Sequence, residues 1–365
     1  MINKKLIIVQ QFLSWKGHYK QYFENLISAD YDYLYCATTS EEYPNATWLK
    51  SDFDVNGPLT FSQKIKGRFI DSFKAYRAVG RKNYELIHFI EFEPLTYLLL
   101  SGLFTKNQNL LLTIHSADKL LYQNWWHSTL SSLQRKLLNQ AIKIVVKRGG
   151  HIVNHYKCHR DNILDVIGYQ YKNRVFVINY PAPQPKSFNI KTPKDLSNPK
   201  FLIYGQIRED KGIYEFLKSS GTEKLQITIA GKILDKRIHS VSYPHLTILD
   251  RFLSDEEVDQ LVAEHDFMLL PYPSGYTNGA GTFKDSLSMG LPVVTSNIPI
   301  FKEIIDEHQV GLIFESVSDI KNIIGELNNE KYMSLSANCY EYALKYNWAY
   351  MKNSYFEIYE KLLAK

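Results

Sequence analysis

Phe201-Leu-Ile-Tyr-Gly205-Gln-Ile-Arg208-Glu-Asp-Lys211-Gly212 reads as a buried strand, a tight loop and the start of a helix. Four strand-forming residues stop at a glycine, and a second glycine follows the cations. A helix begun there turns unpaired N–H groups and the positive end of its dipole towards the loop. Arg208 and Lys211 add two cations to the same loop. A diphosphate would be held well there, gripped by the arginine fork and by the lysine as a point charge. The plainer reading, a solvated loop whose cations pair with Glu209 and Asp210, stands beside it.

A second stretch has the same plan. Pro271-Tyr-Pro-Ser-Gly-Tyr-Thr277-Asn278-Gly279-Ala280-Gly281-Thr282-Phe283-Lys-Asp285 follows the apolar run Phe267–Leu270. Gly279 and Gly281 let the backbone approach an anion closely, and a helix is expected from Thr282. Asp285 falls in its first turn. It can accept two hydrogen bonds from a ribose diol, or merely complement the helix dipole.

Working outward, apolar runs alternate with amphipathic stretches along the chain. Front-half strands are expected at Lys5–Gln10, Tyr33–Cys36, Leu86–Phe89, Asn109–Ile114, Ile142–Val146 and Val175–Ile178, with helices at Gly17–Ser28 and Asn124–Gln140 among them. Back-half strands are expected at Phe201–Tyr204, Leu225–Ala230, Leu246–Leu249, Phe267–Leu270, Pro292–Thr295 and Gly311–Phe314. Helices there open at the capping box Ser254-Asp-Glu-Glu257 and at Ser318-Asp319. The tail, Asn347–Leu363, is one long amphipathic helix. Between the halves, Asn179–Lys200 holds five prolines, which bars a helix or central strand and marks a linker. Strands joined by helical connections mean parallel sheets. The expected fold is α/β: two facing Rossmann-like doubly wound domains, 1–180 and 181–346, with ligands at the carboxyl ends of the strands.

Composition excludes other classes. The chain is 45% hydrophobic and 22% charged, ordinary for a globular protein. The apolar runs are too short to span a bilayer, and the first one ends at Gln10, too soon for a signal peptide. Cys36, Cys158 and Cys339 are odd in number and far apart, which suggests free thiols in a reducing cytoplasm. Residues 1–190 carry 24 Lys+Arg against 14 Asp+Glu, whereas the remainder carries 19 against 24. A basic front half and an acidic back half suggest different partners.

In this order, the motifs resemble the nucleotide-binding domain of the GT-B glycosyltransferases, in particular the large retaining family 4 (glycosyl transferases group 1). The matching pieces are Gly205-x-x-Arg208-x-x-Lys211-Gly212, Leu246–Val262, Asp266–Pro271, and Asp285 followed by Gly290-Leu-Pro-Val-Val. Weaker matches are Gly17-His18 after the first strand and Thr113-Ile-His115 at the end of the fourth. The resemblance implies that Arg208 and Lys211 meet the charge of a leaving nucleoside diphosphate and that His115 lies near the transferred sugar. It further implies that Gly17, Gly205, Gly279, Gly281, Thr282 and Phe283 line the phosphates, that Phe252 and Leu253 face the base, and that Asp285 binds the ribose. His18, Thr277, Asn278 and Ala280 would contact the sugar. It also implies an acceptor-binding front domain, with a C-terminal helix, 347–365, crossing back onto it. One departure stands out: the family's two glutamates, eight positions apart, become Thr277 and Asp285, so ribose binding looks kept while sugar contact changes.

Other constellations compete. Asp30-Tyr-Asp32 and Asp52-Phe-Asp54 match D-x-D, a short pattern expected in solvated turns. His151, His155 and His159 have helical spacing for Zn²⁺, but Arg148, Lys157 and Arg160 among them would repel a cation. Phe61–Lys82 is a basic amphipathic helix, suited to an anionic membrane or to a solvated outer face. The expectation is therefore a cytoplasmic glycosyltransferase, metal-independent and retaining, with no cofactor beyond a UDP- or GDP-linked donor. Its acceptor would be a glycan or a lipid-linked glycan in cell-surface polysaccharide assembly. Peripheral contact with the inner face of the plasma membrane and no nucleic-acid partner complete it. An epimerase of the same fold and a non-catalytic partner subunit remain alternatives.

Overall fold

The computed structural model describes residues 5–15, 18–53, 60–80, 82–104, 108–115, 129–276 and 281–364. The chain divides into two compact units, Met1–Asn179 with Met351–Lys365, and Tyr180–Tyr350.

In the first unit the elements run β1 (Leu6–Gln10), α1 (Tyr19–Asn25), β2 (Asp32–Ala37), β3 (Ala46–Lys50), α2 (Phe61–Gly80) and β4 (Leu86–Phe89). They continue α3 (Pro94–Leu100), β5 (Asn109–Thr113), α4 (Thr129–Lys147), β6 (His151–Asn154), α5 (Lys157–Ile167) and β7 (Val175–Val177). The seven strands lie in the order β3-β2-β1-β4-β5-β6-β7, all parallel. β1 and β4 are buried along their whole length, because helices cover both faces of such a sheet. Strand order reverses between β1 and β4, which opens a crevice at their carboxyl ends.

The second unit runs β8 (Lys200–Tyr204), α6 (Ile213–Leu217), β9 (Gln226–Gly231), β10 (Leu246–Asp250), α7 (Asp255–Glu264), β11 (Phe267–Leu270), α8 (Gly281–Ser288) and β12 (Val293–Ser296). It ends with α9 (Pro299–His308), β13 (Gly311–Phe314), α10 (Val317–Gly325), α11 (Asn329–Lys345) and the start of α12 (Trp348–Leu363). Its parallel sheet has the order β10-β9-β8-β11-β12-β13, with the reversal between β8 and β11. The core packs Phe201, Ile203, Phe267, Leu269 and Val294 against Ile213, Phe216 and Ile320.

Local chemistry sets the helix ends. Ser254 and Glu257 close the expected capping box on α7. α10 is capped by Ser316 with Asp319, two residues ahead of the expected Ser318, because Ser316 is the residue with extended backbone. The proline-rich segment has neither helix nor strand until β8 starts at its last residue, Lys200, yet it is pinned down. Ala182 donates to the Tyr346 carbonyl at 2.8 Å, and the Lys191 N–H donates to the Ser336 hydroxyl at 2.9 Å. The end of α12 packs in the first unit, where the Tyr355 hydroxyl lies 2.7 Å from that of Tyr22 and the Tyr359 hydroxyl 2.7 Å from His88 Nδ1.

Two front-half expectations are corrected. Ile142–Val146 is the last part of α4, not a strand; the strand is His151–Asn154, after the Gly149-Gly150 turn. His151, His155 and His159 therefore share no helix face. His151 is on β6, stacked on Phe176, His155 follows that strand, and His159 is on α5.

Candidate functional site

In the second unit two glycines bring three chain segments together. Gly205 has φ +104°, and a Cβ there would stand 3.0 Å from Thr282 Cγ2. Gly231, at the end of β9, has φ +125°, and its Cβ would strike the Gly205 carbonyl oxygen at 2.2 Å. Only glycine lets the β8 loop, the end of β9 and the start of α8 approach so closely.

The cations fall on this loop in different states. Arg208 is exposed and its guanidinium grips Asp210 with two bonds of 2.9 Å, the pairing foreseen in the plainer reading. Lys211 is buried, 7% exposed, with its ammonium 5.5 Å from the Tyr272 ring centre. Burial, with the charge of Arg208, pushes that ammonium down to about 8, while Asp210 and Asp285 oppose the shift. Asp285, half-buried on α8, accepts a 2.8 Å hydrogen bond from the Tyr204 hydroxyl. Burial raises its carboxyl, and Tyr204 and Lys211 hold it back.

Around this centre Thr282 lies 3.3 Å from the Tyr272 hydroxyl, at the N-terminal turn of α8. Gly281 is exposed. The Phe283 side chain turns into the core, stacked on Phe301 at 4.8 Å, so only its backbone can face the mouth. Phe252, just past β10, shows 78% of its surface, and Leu253 is half-buried. Thr277, Asn278, Gly279 and Ala280 lie outside the described residues, as does Gly17.

In the first unit His18 and His115 meet on Glu91, which follows β4. Each Nε2 is 3.1 Å from Glu91 Oε1, and the two rings are 4.5 Å apart. Burial alone would raise the Glu91 carboxyl; His115 and His18 outweigh it and hold it well below the usual range. The hydrogen-bond directions define the protons. His155 Nδ1 faces the Ile178 carbonyl at 2.8 Å, so it donates. Burial keeps His155 neutral, so its Nε2 accepts from His115 Nδ1 at 3.0 Å. His115 Nε2 faces two acceptors, Glu91 and the Ile90 carbonyl at 3.0 Å, and donates as well. Both ring nitrogens of His115 therefore face acceptors, and Glu91 Oε1 is one of them.

Glu91, Tyr204, Tyr272 and Gly231 were not picked out from the sequence, and His155 only in the histidine run weighed for Zn²⁺. Glu91 had a signal, an acid directly after an apolar strand in Phe89-Ile-Glu91. Of the D-x-D acids, Asp32 accepts from the Tyr84 hydroxyl and Asp52 pairs with Lys74, while Asp54 lies outside the described residues. On α2, Arg68 stacks 4.1 Å over Phe12 and donates to the Tyr19 hydroxyl, whereas Lys64, Lys66 and Arg77 are exposed. Among the described residues, no helix is long and apolar enough to cross a membrane.

Residues 186–346 match the family model described as glycosyl transferases group 1. The chain is 31% identical over 124 residues to the O-antigen biosynthesis glycosyltransferase WclY of Escherichia coli. That match covers 33% of this chain and 30% of WclY, so it spans under a third of that relative. Among solved structures, sucrose-phosphate synthase from Thermosynechococcus elongatus is similar with a TM-score of 0.69 at 15% identity, covering 99% of this chain and 100% of that one. HepE from Anabaena, solved with UDP-glucose, is similar with a TM-score of 0.61 at 12% identity, covering 98% and 99%. The chain has the GT-B fold, as its two doubly wound sheets and these neighbours show.

Proposed function

We propose that this protein transfers a sugar from a nucleotide-sugar donor to a glycan or lipid-linked acceptor in cell-surface polysaccharide assembly. The observation that carries the reading is the buried Lys211, set at the strand-order reversal with Asp285 and Tyr204 and flanked by Arg208. A buried cation is costly unless an anion meets it. A nucleoside diphosphate supplies that anion. Arg208 would exchange the Asp210 carboxylate for phosphate oxygens, one bidentate partner for another. Asp285, oriented by Tyr204, takes the ribose hydroxyls, and Phe252 offers an exposed ring to the base. HepE is solved in complex with UDP and with UDP-glucose, which supports uridine as the base. The name of WclY supports polysaccharide assembly.

In this mechanism the departing diphosphate gains charge as the sugar–oxygen bond breaks. Lys211, Arg208 and the N-terminal turn of α8 stabilise it electrostatically, with no metal required for that step. Retention follows the family resemblance, with the leaving phosphate taking the acceptor proton. The family resemblance gives His115 and His18, which follow strands of the first sheet, the role of contacting the transferred sugar. Peripheral membrane contact rests on the exposed Lys64, Lys66 and Arg77 of α2.

The test is a thermal-shift panel of UDP, GDP, ADP, CDP and their sugar conjugates, with and without EDTA. A ligand at 100 times its Kd adds about 2.7 kcal/mol. One base should stabilise the protein with or without EDTA, and lose its effect in Arg208→Ala. No shift with any nucleotide would overturn the donor-site reading.

A further inference from the structure

We propose that Arg68 of α2 binds an oxyanion, phosphate or carboxylate, carried by the acceptor, and so sets which acceptor this protein takes. Its role toward an acceptor rests on the transfer reaction proposed for the chain; its capacity for an anion does not. Arg68 is half-buried, yet among the described residues no carboxylate pairs with it. Aromatic faces hold it instead. Its guanidinium carbon stands 4.1 Å over the Phe12 ring and 5.9 Å from that of Trp15, and one N–H donates to the Tyr19 hydroxyl at 3.1 Å. A guanidinium has five N–H donors, and this bond uses one. Stacking fixes the plane of the fork and leaves its edge for a bidentate partner, the geometry that grips phosphate or carboxylate.

The rings are themselves held. Phe12 is fully buried, and its N–H donates to Gln10 Oε1 at 3.1 Å. Gln10 also donates to the Tyr19 carbonyl at 3.2 Å, which ties the loop after β1 to α1. Asp71, the one acid of α2, turns to other partners. Its Oδ2 accepts from the Ser51 hydroxyl at 2.8 Å and faces the Trp15 indole N–H at 3.5 Å. Gly67 stands directly before Arg68. A Cβ there would meet Phe53 Cγ at 2.8 Å and Trp15 Cζ2 at 3.0 Å, so glycine lets those rings close over the helix.

The position suits an acceptor. Trp15 is in the loop after β1, Tyr19 opens α1, and Arg68 is in the N-terminal half of α2, the helix that follows β3. All three belong to the carboxyl side of the first sheet, where ligands of such folds bind. Tyr19 lies against His18, ring centres 4.8 Å apart. His18 is the residue that the family resemblance puts on the transferred sugar, so the anion would lie beside the hydroxyl that receives it. A neutral acceptor would leave the half-buried guanidinium without a counter-charge, so the site also selects against such acceptors.

The probes are glucose 1-phosphate, glucuronate and neutral methyl glucoside, titrated into the full chain. The readout is the indole N–H signal of Trp15 in ¹H–¹⁵N spectra, identified by its absence in Trp15→Phe. One or both anions should shift that signal to saturation, and methyl glucoside should not. A response to glucose 1-phosphate alone assigns a phosphate, to glucuronate alone a carboxylate, and to both the shared oxyanion. Arg68→Gln should weaken the anion about 10–100-fold, the worth of charge-assisted hydrogen bonds. Arg68→Lys keeps the charge and loses the fork, so its affinity should fall between the two. Circular dichroism verifies folding, and Arg68→Lys decides alone if Arg68→Gln fails to fold. The UDP-dependent thermal shift should be the same in Arg68→Gln as in the wild type. A missing UDP shift in the wild type counts against the donor site alone, because the Trp15 titration uses no nucleotide. No saturating shift with either anion, wild-type affinity in the Arg68 variants, or methyl glucoside bound as tightly as the anions would overturn the proposal. So would a UDP shift lost only in Arg68→Gln.

Discussion

Replacing Lys211 by methionine should stabilise the ligand-free protein while removing its response to nucleotide. The ammonium sits near 8 in the folded chain against 10.5 for the unperturbed group. That difference costs the folded state about 3 kcal/mol at neutral pH, at 1.36 kcal/mol per pKa unit. Methionine keeps the stem's packing and sheds the charge, so the unliganded variant should gain about 2–3 kcal/mol. For a domain of this size that raises Tm by roughly 4–10 °C. The pH sign follows from proton binding. Because the folded pKa is depressed, the unfolded chain holds the extra proton between about 8 and 10.5. Wild-type stability should therefore rise with pH across that window relative to the variant, and the two curves should converge above it. Transfer rate should fall by about 10²–10³, the cost of losing one donor to developing charge. Chemical denaturation from pH 7 to 11, with and without UDP, reads the stability effects. A variant less stable than wild type at pH 7, or one still stabilised by UDP, would refute the reasoning.

Tyr204→Phe removes the hydroxyl that orients Asp285, and UDP affinity should fall by about 1 kcal/mol, the worth of one hydrogen bond. The loss should be smaller for 2′-deoxy-UDP, as titration calorimetry can show. Gly231→Ala forces a Cβ onto the Gly205 carbonyl at positive φ, and urea unfolding should show more than about 2 kcal/mol lost. Its melting should lose the nucleotide shift. In ¹⁵N-histidine spectra at pH 7, His155 should show the Nδ1–H tautomer, and an Nε2–H tautomer would contradict the hydrogen-bond assignment.

Much of the fold was legible because parallel strands buried on both faces read as continuous apolar runs. Leu86–Phe89, Phe267–Leu270 and Gly311–Phe314 coincide with their strands to the residue. The errors have physical causes. Ile142–Val146 is β-branched and apolar, yet it completes the buried stripe of a 19-residue helix. The short β6 carries a histidine and an asparagine and makes no apolar run. β3, Ala46–Lys50, is an edge strand with a largely exposed face, so it too escaped notice. The back-half loops were legible because their chemistry is local: Gly205, Arg208 and Lys211 lie within one turn of chain. The histidine cluster was not. His18, Glu91, His115 and His155 meet only because the sheet order sets β1, β4, β5 and β6 side by side, and pairing of distant strands has no local signature. The bond between Tyr204 and Asp285, 81 residues apart, was hidden for the same reason.

The donor site is the central claim, and a crystal structure with UDP bound tests it most directly. The account predicts the diphosphate on Lys211 Nζ and the N-terminal turn of α8, Arg208 moved from Asp210 onto phosphate oxygen, and the ribose hydroxyls on Asp285. A nucleotide bound away from these residues, with Arg208 still gripping Asp210, would contradict it.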